Sequence, residues 1–593
     1  MCCSKQIYVT FILLYYAECF NVEFKTLSTV YLPFTYSPTA QYALDKDAAE
    51  QMAYDPASNI IYSVGHSNLH VIDISDVHFP KVLFHKSYDN VDGTDVEVCG
   101  DHVFVAFDNE TVREDGFVDV FKAFNKSSSS LDLIHHIVVG DIPDMIQPIK
   151  DCSKVIVAIE AEPYIDTIHD RLVDNPGGVG VITFTYSPSG DYNYNVVDFR
   201  KFNARFTELE KTGVRWINRE NNTFANDIEP EYIAFNADET KAYICLQENN
   251  AIAVFDMKTE QIEDILGLGF KNWNYYTMDA SDKDGGIHMR PWPVFGMYQP
   301  DSIKHYTHQG VDYLIMGNEG DSKDYGPYFT EEIQVKDVEL SSLFESNETI
   351  RREMQEKSQL GRLKVAAGDG KNRETGKYDK LYAFGGRSFS IRRADTMELV
   401  YDSGIEIAHK TSLLHSNLFN SGYKEGHLVA ASMDSRSDNK GPETESVTMG
   451  HFGDTTLLMI GNERPGTIAV YTIDERLSGV APTFVTLLTG INRTDDTWDN
   501  LYKNREISML DPEDIRFIQG EESPNGKPLL LVSGSTSGTV SIIEVNVDLS
   551  HQQDDPVTAQ IRSSASFVCL SKVLLVIYIG LFLWRRWERN LPV

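Results

Sequence analysis

Cysteine is scarce in this chain, with seven residues among 593. Residues 1–19 are predicted to be a secretory signal, so the region between them and the C-terminal apolar segment keeps only Cys99, Cys152 and Cys245. At most one disulfide can form there, which excludes a small fold held by several bridges. Cys99 and Cys152 occupy equivalent positions in neighbouring copies of a repeat, so a bridge between these two is the expected pairing.

Basic residues are also few compared with acidic ones. Lysine and arginine number 53 against 88 aspartates and glutamates, and the formal net charge is −35. This balance argues against a nucleic acid partner, because binding phosphates requires a cationic surface. GxSxG, HExxH, EF-hand and Walker motifs are absent too, and with them the common hydrolase and nucleotide-binding signals. A strongly acidic extracellular protein instead attracts cations and stays soluble.

What the chain does contain is a recurring phrase. Its clearest copy, residues 227–256, reads DIEPEYIAFNADETKAYICLQENNAIAVFD. An acidic segment leads into a short apolar strand, a polar turn follows, and a Glu-bearing turn separates the second strand from a third. Apolar runs broken by Gly, Asn, Asp and Pro are typical of strands joined by turns. One such unit cannot bury its own apolar face, so neighbouring copies must stack.

Six further copies begin with AAEQMAYDPAS, DGTDVEVCG, DIPDMIQPI, GMYQPDSI, ESVTMGHF and DPEDIRF. Seven four-stranded units arranged radially make an all-β, seven-bladed β-propeller with few exposed sheet edges. We expect this propeller over residues 20–548, with an insertion at about 322–380 in the fifth unit, where KLYAFGG and SFSIRRAD supply outer strands. The segment 22–32 is expected to pair with the last unit and close the ring. A two-domain β-sandwich protein is the alternative.

The N-terminal segment predicts secretion. Lys5 precedes the apolar run 7–17, and small residues follow at a cleavage position, which predicts a signal peptide over residues 1–19. N-x-S/T triplets agree with an extracellular location, since they are acceptors for N-glycosylation. The candidate glycosylation sites are Asn109, Asn125, Asn221, Asn347 and Asn492.

The C-terminal segment predicts an anchor. A polar linker at 549–566 leads to the apolar segment 567–584, whose 18 residues are at the lower limit for a transmembrane helix. The arginines that follow favour a short cytoplasmic tail at 585–593. The alternative is a signal for a glycosylphosphatidylinositol anchor that begins at the small residues 563–565. Both hypotheses place a membrane-anchored protein at the cell surface, with its ectodomain outside the cell.

The acids of the repeat fall in two loops of each copy, one before the first strand and one between the second and third strands. In a propeller blade these loops open on the same face, so their carboxylates are expected to ring one mouth of the central channel. Oxygen ligands in number favour Ca²⁺, with Mg²⁺ or Mn²⁺ as further candidates. The predicted metal ligands are Asp227, Glu229, Glu231, Glu248, Asp301, Glu319, Glu443, Glu445, Glu463, Glu513 and Asp514.

Other acids occupy the equivalent loops, and His66 accompanies them in the first copy. The alternative to a metal site is that each acid caps a backbone turn, as Asp commonly does. These further acids are Glu50, Asp92, Asp95, Glu97, Asp108, Asp141, Asp144, Glu160, Glu162, Asp321 and Asp511.

A second group of charges lies in the segment ASMDSRSDNKGPETES. Asp434, Arg436 and Lys440 alternate in sign there, and Arg387 is expected to approach from the fifth unit. If the protein is an enzyme, Asp434, Arg436 and Lys440 are the candidate catalytic residues of a metal-dependent phosphoesterase. A metal ion would activate the attacking water, and the basic side chains would bind the phosphoryl group. The alternative is that these acidic and basic side chains neutralise one another within the loop. The sequence leaves the question of catalysis open.

Several longer stretches carry a family resemblance. NDIEPEYIAFNADETKAYICLQENNAIAVFD, YLIMGNEGDSKDY, FGGRSFSI, DSRSDNKGPE and LMIGNERPGTIAVY together resemble the mesenchyme-specific cell surface glycoprotein family, whose bacterial relatives are called choice-of-anchor I proteins. The resemblance implies a membrane-anchored extracellular glycoprotein associated with calcium and mineral deposition. One departure is that the last copy reads SGSTSGT, with Ser535 where the family has an acid.

Three functions follow as hypotheses. The first is a cell-surface glycoprotein whose acidic propeller face binds Ca²⁺ or another divalent cation, with extracellular matrix, mineral or a protein ligand as its partner. The second is the phosphoesterase. The third is a protein-interaction or adhesion scaffold whose acids only keep it soluble.

Overall fold

The computed structural model describes residues 21–109, 115–166 and 169–548. Four predicted segments lie outside these residues: the signal peptide, the polar linker, the membrane helix and the cytoplasmic tail (1–19, 549–566, 567–584 and 585–593).

By their internal contacts the residues divide into a large unit, Thr26–Glu544, and a small unit, Met1–Lys25 with Val545–Val593. The described residues of the small unit are the first residues of one β-strand and the last residues of another. In the part of the chain that the structure describes, no helix is both long and apolar enough to cross a bilayer.

Short strands make up most of the described chain. The first half contains β1 (Asn21–Tyr31), β2 (Gln51–Asp55), β3 (Ile60–Gly65), β4 (Asn68–Asp73), β5 (Lys81–Ser87), β6 (Asp92–Cys99), β7 (His102–Asp108), β8 (Phe117–Lys122), β9 (Leu133–Val138), β10 (Pro143–Pro148), β11 (Lys154–Ile159), β12 (Tyr164–Asp166), β13 (Arg171–Val173), β14 (Gly178–Phe184), β15 (Tyr192–Asp198), β16 (Ile233–Phe235), β17 (Lys241–Leu246), β18 (Ala251–Asp256) and β19 (Gln261–Gly267).

The second half contains β20 (Phe270–Asn272), β21 (Phe295–Met297), β22 (Ile303–His308), β23 (Val311–Asn318), β24 (Glu332–Gln334), β25 (Lys364–Ala366), β26 (Tyr382–Ala383), β27 (Ser388–Arg393), β28 (Leu399–Asp402), β29 (Thr444–Phe452), β30 (Thr455–Asn462), β31 (Thr467–Asp474), β32 (Thr483–Thr489), β33 (Asp514–Ile518), β34 (Leu529–Gly534) and β35 (Thr539–Asp548). Short helices lie in the connections: α1 (Phe206–Leu209), α2 (Glu348–Met354), α3 (Glu406–Leu414) and α4 (Trp498–Lys503), with 3₁₀ turns at Arg200–Arg205, Glu210–Thr212, Val335–Asp337, Ser416–Leu418 and Val429–Ser432.

Within the described residues, seven sheets have four strands each. Their strand orders are β2-β3-β4-β5, β6-β7-β8-β9, β10-β11-β14-β15, β16-β17-β18-β19, β22-β23-β27-β28, β29-β30-β31-β32 and β1-β35-β34-β33. The first strands of consecutive sheets contact one another in turn, and β33 contacts β2. The fold is therefore all-β and propeller-like, as predicted.

Burial within a sheet follows the position of the strand. In the first sheet β3 is fully buried, whereas most of β5 is exposed, since β5 has no neighbouring strand on its outer side. Apolar side chains from both faces fill the spaces between adjacent sheets. One such cluster joins Val64 and Val71 of the first sheet to Val105 and Phe107 of the second. Stacking of neighbours, which the repeat predicts, thus provides the core.

The N-terminal strand completes the last sheet. β1 lies beside β35, and the hydroxyls of Thr29 and Ser541 are 3.0 Å apart. Ser28 also donates to the carbonyl of Val77 at 2.6 Å, which ties the strand to the first sheet. The prediction that segment 22–32 pairs with the last unit is confirmed.

The insertion predicted at about 322–380 lies between β23 and β27 and belongs to a five-stranded sheet, β20-β21-β26-β25-β24. The expectation that KLYAFGG supplies an outer strand of the fifth unit is wrong: Tyr382 and Ala383 pair with Phe295 and Gly296 in that extra sheet. The segment SFSIRRAD does supply the third strand of its unit. Two strands of the extra sheet, β20 and β21, precede the predicted insertion and were not expected.

A disulfide joins Cys99, at the end of β6, to Cys152, in the turn before β11, and their Cα atoms are 5.7 Å apart. This is the pair named from the sequence. Cys245 is a buried free thiol in β17.

Candidate functional site

A cavity of about 300 Å³ lies where acid-bearing loops of several sheets converge. We call it the acidic chamber. Residues of the first five four-stranded sheets and the seventh form its wall. Nine carboxylates line it, and within the described residues no lysine, arginine or histidine does. The nine are Glu50, Asp92, Asp95, Asp108, Asp144, Glu160, Glu162, Asp301 and Glu513.

The local sequence explains how these acids meet. Glu50 directly precedes β2 and Asp92 begins β6, so both lie where a first strand starts. Glu160 directly follows β11, where the chain turns toward the third strand of its sheet. Its backbone N–H donates to the carbonyl of Ile142, just before β10, at 2.9 Å, and this bond ties the two acid-bearing loops of the third sheet together.

The acids of the chamber resist ionisation together. Burial raises the pKa of Asp144 to about 7. The pKa of Glu160 lies well above its ordinary value because of burial and then the neighbouring acids, Glu162 foremost. Burial likewise raises the pKa of Glu513 and of Glu50, and other carboxylates add to both shifts. Carboxylates this close must hold protons or share a cation.

Residues of the fourth sheet extend the chamber. Glu231 is buried, its Oε2 has no hydrogen-bond partner among the described residues, and burial raises its pKa, followed by the charges of Glu248 and Asp301. Tyr232 follows it and receives a hydrogen bond from the side-chain amide of Gln51, which lies in the first sheet. The chamber is therefore narrow enough for side chains of distant sheets to touch.

A cluster of three acids adjoins the chamber through Glu513. Ligand oxygens of Glu445, Asp511 and Glu513 lie within 4.8 Å of one another. Oε2 of Glu445 has no hydrogen-bond partner among the described residues, and burial raises the pKa of this residue, followed by Glu513 and Asp511. The cluster therefore offers carboxylate oxygens of Glu445 that no basic residue of the cluster neutralises.

A second cluster, Glu319, Glu443 and Glu463, has the same spacing but contains its own cations. Arg436 makes a bidentate contact with Glu443, at 2.8 and 3.0 Å. Lys440 donates to Glu319, and Arg464 binds Glu463.

Burial opposes ionisation of Glu443, but Lys440, Arg464 and Arg436 outweigh it and lower the pKa of this carboxyl. Glu443 is thereby neutralised without a metal, whereas burial keeps the pKa values of Glu319 and Glu463 raised despite their basic partners.

Two acids predicted as ligands in the fourth copy are also occupied. Both oxygens of Asp227 accept backbone N–H groups, from Ile217 at 2.6 Å and Asn218 at 2.8 Å, as in a capped turn. Oε1 of Glu229 lies 2.7 Å from Nζ of Lys323, which the insertion contributes. Oε2 of Glu229 and Oε2 of Glu248 have no hydrogen-bond partner among the described residues.

Asp514 has a structural environment. Its Oδ2 accepts from Nε of Arg516 at 2.8 Å and from the backbone N–H of Met52 at 3.2 Å, which links the seventh sheet to the first. Arg516 also lies 2.9 Å from Glu97, further along β6 from the chamber. This arginine pairs with Asp514 and Glu97 and also lowers the pKa of Asp95, which burial raises.

Two of the candidate phosphoesterase residues, Arg436 and Lys440, share one acid, Glu443, at 2.8 and 3.8 Å. Arg436 and Lys440 are bound to glutamates, as described above, and Arg387 donates to the backbone carbonyls of Asp279 and Ser437. Asp434 accepts from the hydroxyl of Ser437, and burial raises its pKa to about 7.

Three other predicted features can be placed. His66 lies 3.9 Å from Asp92 and is partly exposed. Ser535 of the last copy lies with its hydroxyl 3.2 Å from Asp47. The candidate glycosylation sites are exposed except for Asn109, which is half-buried; they are Asn109, Asn125, Asn221, Asn347 and Asn492.

Sequence reasoning missed the basic partners. Lys323, Arg464 and Arg516 decide which acids are neutralised, and none of them was singled out. The dipeptide Glu463-Arg464 within the repeat phrase was the available signal for one of them. The other two cannot be assigned to an acid without the fold.

The sheets and the chamber define an all-β, propeller-like protein with a concentrated acidic site. A family model described as the choice-of-anchor I domain matches residues 50–476, and the chain belongs to this family. Gigasin-3a of Magallana gigas is 38% identical over 186 residues, which are 31% of this chain and 64% of that protein. The mesenchyme-specific cell surface glycoprotein of Strongylocentrotus purpuratus is 28% identical over 367 residues, 55% of this chain and 47% of that protein.

The chain thus spans between about half and two thirds of the length of these curated relatives. Among solved structures, the β-propeller domain of Myceliophteria thermophila Cps50 (Swd1) superposes with a TM-score of 0.39 at 7% identity, over 88% of this chain and 100% of that one.

Proposed function

We propose that this protein is a cell-surface glycoprotein whose acidic chamber binds Ca²⁺ or another divalent cation. The observation that carries the proposal is a cavity lined by nine carboxylates and, within the described residues, by no basic side chain. The raised pKa values of Asp144 and Glu160 express the same imbalance. A divalent cation removes the repulsion that otherwise holds these acids protonated.

The proposal includes the predicted architecture. The seven four-stranded sheets are the blades of one closed propeller, whose central channel opens at the chamber. The contacts between the first strands of consecutive sheets support closure of the propeller, because they run through all seven sheets and return to the first. Such closure gathers acids that are hundreds of residues apart in sequence.

The chemistry of the chamber favours Ca²⁺ over smaller ions. Ca²⁺ accepts six to eight oxygen ligands in a flexible geometry, whereas Mg²⁺ demands a near-ideal octahedron. A wall built from loops of six sheets supplies many oxygens without an octahedral arrangement. The chamber and the adjoining Glu445–Asp511–Glu513 cluster are the proposed binding region. The Glu319–Glu443–Glu463 cluster, which has its own basic partners, is outside it.

The location is part of the same proposal. The name of the Strongylocentrotus purpuratus relative describes a cell surface glycoprotein, and four of the five sequons here are exposed. The apolar segment 567–584 is the proposed anchor. The contacts of Arg436 and Lys440 with glutamates do not favour the phosphoesterase hypothesis, and no specific contact favours the scaffold hypothesis.

Calorimetric titration of the full-length protein with CaCl₂ tests the proposal. Glu50→Gln/Glu160→Gln removes two chamber carboxyl groups at nearly constant volume, and Glu353→Gln/Glu374→Gln removes two exposed carboxyl groups elsewhere as the matched control. We expect wild type and control to bind Ca²⁺ with similar affinity and the chamber variant to bind at least tenfold more weakly. Wild-type protein that shows no heat of binding at 10 mM Ca²⁺, or a chamber variant that binds like the control, contradicts the proposal.

A further inference from the structure

A larger cavity, of about 670 Å³, is lined by three loop segments that are far apart in sequence. They are 42–46, between β1 and β2; 422–425, between β28 and β29; and the C-terminal part of α4 with the residues after it, up to 505. Each segment belongs to a connection that leads into the first strand of a sheet. Since the acids of the chamber use the same type of connection, the cavity opens on the same face as the chamber. We call it the basic groove.

The groove carries positive charge in a protein with a net charge of −35. Three acids line it, and one of them, Asp499, accepts the backbone N–H of Gly426 at 2.7 Å. Six basic residues line it: Lys46, Lys424, Arg436, Arg464, Lys503 and Arg505.

The basic residues have two different roles. Arg436 and Arg464, at the inner side, are bound to Glu443 and Glu463. Lys46, Lys424 and Lys503 are exposed, and in the described part of the chain no acid lies within ion-pair distance of them. These three ammonium groups are therefore available to a ligand.

The groove has an aromatic wall. The guanidinium of Arg505 lies over the rings of Tyr31, Tyr42 and Tyr502, at 3.9, 5.1 and 5.7 Å from their centroids. Tyr42 is 43% exposed and presents its ring to solvent. Behind this wall, Trp498 and Tyr502 belong to a buried apolar cluster, so the loops that carry the charges rest on a packed base.

A second cavity, of about 470 Å³, continues the groove. It shares Tyr42 and Arg505 with the first cavity, and hydroxyl-bearing residues Thr26, Ser28 and Thr29 of β1 line it. Two adjoining cavities, one cationic and one rich in hydroxyls, suit an extended ligand that carries both anionic and hydroxyl groups.

We propose that the basic groove binds an acidic oligosaccharide, with sulfate or carboxylate groups on the three free lysines. Charged hydrogen bonds from ammonium groups to such anions are among the stronger polar contacts. The exposed ring of Tyr42 provides an apolar surface for a sugar ring, since one face of a pyranose is lined by C–H groups. The length of the paired cavities favours an oligomer over a single ion. This site is separate from the acidic chamber and needs no divalent cation.

Calorimetric titration of the full-length protein with a fully sulfated heparin tetrasaccharide, in EGTA, tests the proposal. The variant is Lys424→Glu/Lys503→Glu. The matched control is Lys211→Glu/Lys258→Glu, two exposed lysines outside the groove, and thermal unfolding checks that both variants fold. Cellotetraose and sodium sulfate are the uncharged and small-anion probes.

We expect the tetrasaccharide to bind wild type and control alike, to bind the groove variant at least tenfold more weakly, and to lose affinity as salt rises. Cellotetraose and sulfate are expected to bind at least tenfold more weakly than the tetrasaccharide. Equal binding by the groove variant and the control overturns the proposal. So does sulfate that binds as tightly as the tetrasaccharide, or binding that appears only when Ca²⁺ replaces EGTA. None of these results bears on cation binding by the chamber.

Discussion

The substitution Asp144→Asn isolates the electrostatic cost of the acidic chamber. Burial raises the pKa of Asp144 from 3.8 to about 7, so the folded protein binds this proton more tightly than the unfolded chain does. Stability therefore falls as the pH rises from about 4 to about 7, and the full cost is present above pH 7. A shift of about three pKa units corresponds to about 4 kcal/mol.

Asparagine keeps the shape of the protonated acid without the charge. In EGTA we expect Asp144→Asn to stabilise the protein by up to about 4 kcal/mol at pH 8. At pH 5.5, about midway between the two pKa values, the gain falls to about half. Urea unfolding followed by tryptophan fluorescence at both pH values measures this difference.

Asp191→Asn, at an exposed acid outside the chamber, is the matched control and is expected to change stability by less than about 0.5 kcal/mol at either pH. Saturating Ca²⁺ reverses the order of the two proteins, because the cation stabilises wild type through the charge that the variant lacks. A gain for Asp144→Asn that is the same at pH 5.5 and pH 8, or a loss at pH 8, refutes the reasoning.

Two further predictions concern the Lys323–Glu229 ion pair and the Cys99–Cys152 disulfide. Lys323→Met leaves Glu229 buried without its counterion, and we expect it to lower the free energy of unfolding in urea by about 3–5 kcal/mol. Adding Glu229→Gln to the same chain is expected to restore part of this loss. A loss of stability below about 1 kcal/mol, or no restoration by the second substitution, contradicts the role of Lys323 as counterion. Cys99→Ser/Cys152→Ser opens a link between residues 53 positions apart, and the chain-entropy estimate for that loop is about 4 kcal/mol. Thermal unfolding with and without reductant measures it, and wild type and variant with equal unfolding midpoints in the absence of reductant would count against the link.

The repeat made much of the fold predictable. The order of apolar strands and turns indicates stacked four-stranded units, and a lone strand before the first unit indicates pairing with the last one, which β1 provides beside β35. The fifth unit was harder. Tyr382 and Ala383 have the composition of a blade strand, but they pair with a segment before the insertion, and nothing local to the sequence indicates that partner.

The acids were predictable as a group because topology alone places equivalent loops on one face. Their individual roles were not. Asp227 and Asp514 satisfy backbone N–H groups, whereas Glu231 retains an oxygen without a hydrogen-bond partner among the described residues. Whether an acid is neutralised depends on a cation such as Lys323, almost a hundred residues from Glu229, and spacing within a repeat carries no information about that distance.

The most direct test of the central claim is a crystal structure of the protein grown with Mn²⁺ or Ca²⁺, with anomalous data collected to locate the ion. We expect a cation peak inside the acidic chamber, coordinated by carboxylate oxygens from at least two sheets. A fully occupied ion elsewhere on the protein, with the chamber filled by water at 10 mM cation, would contradict it.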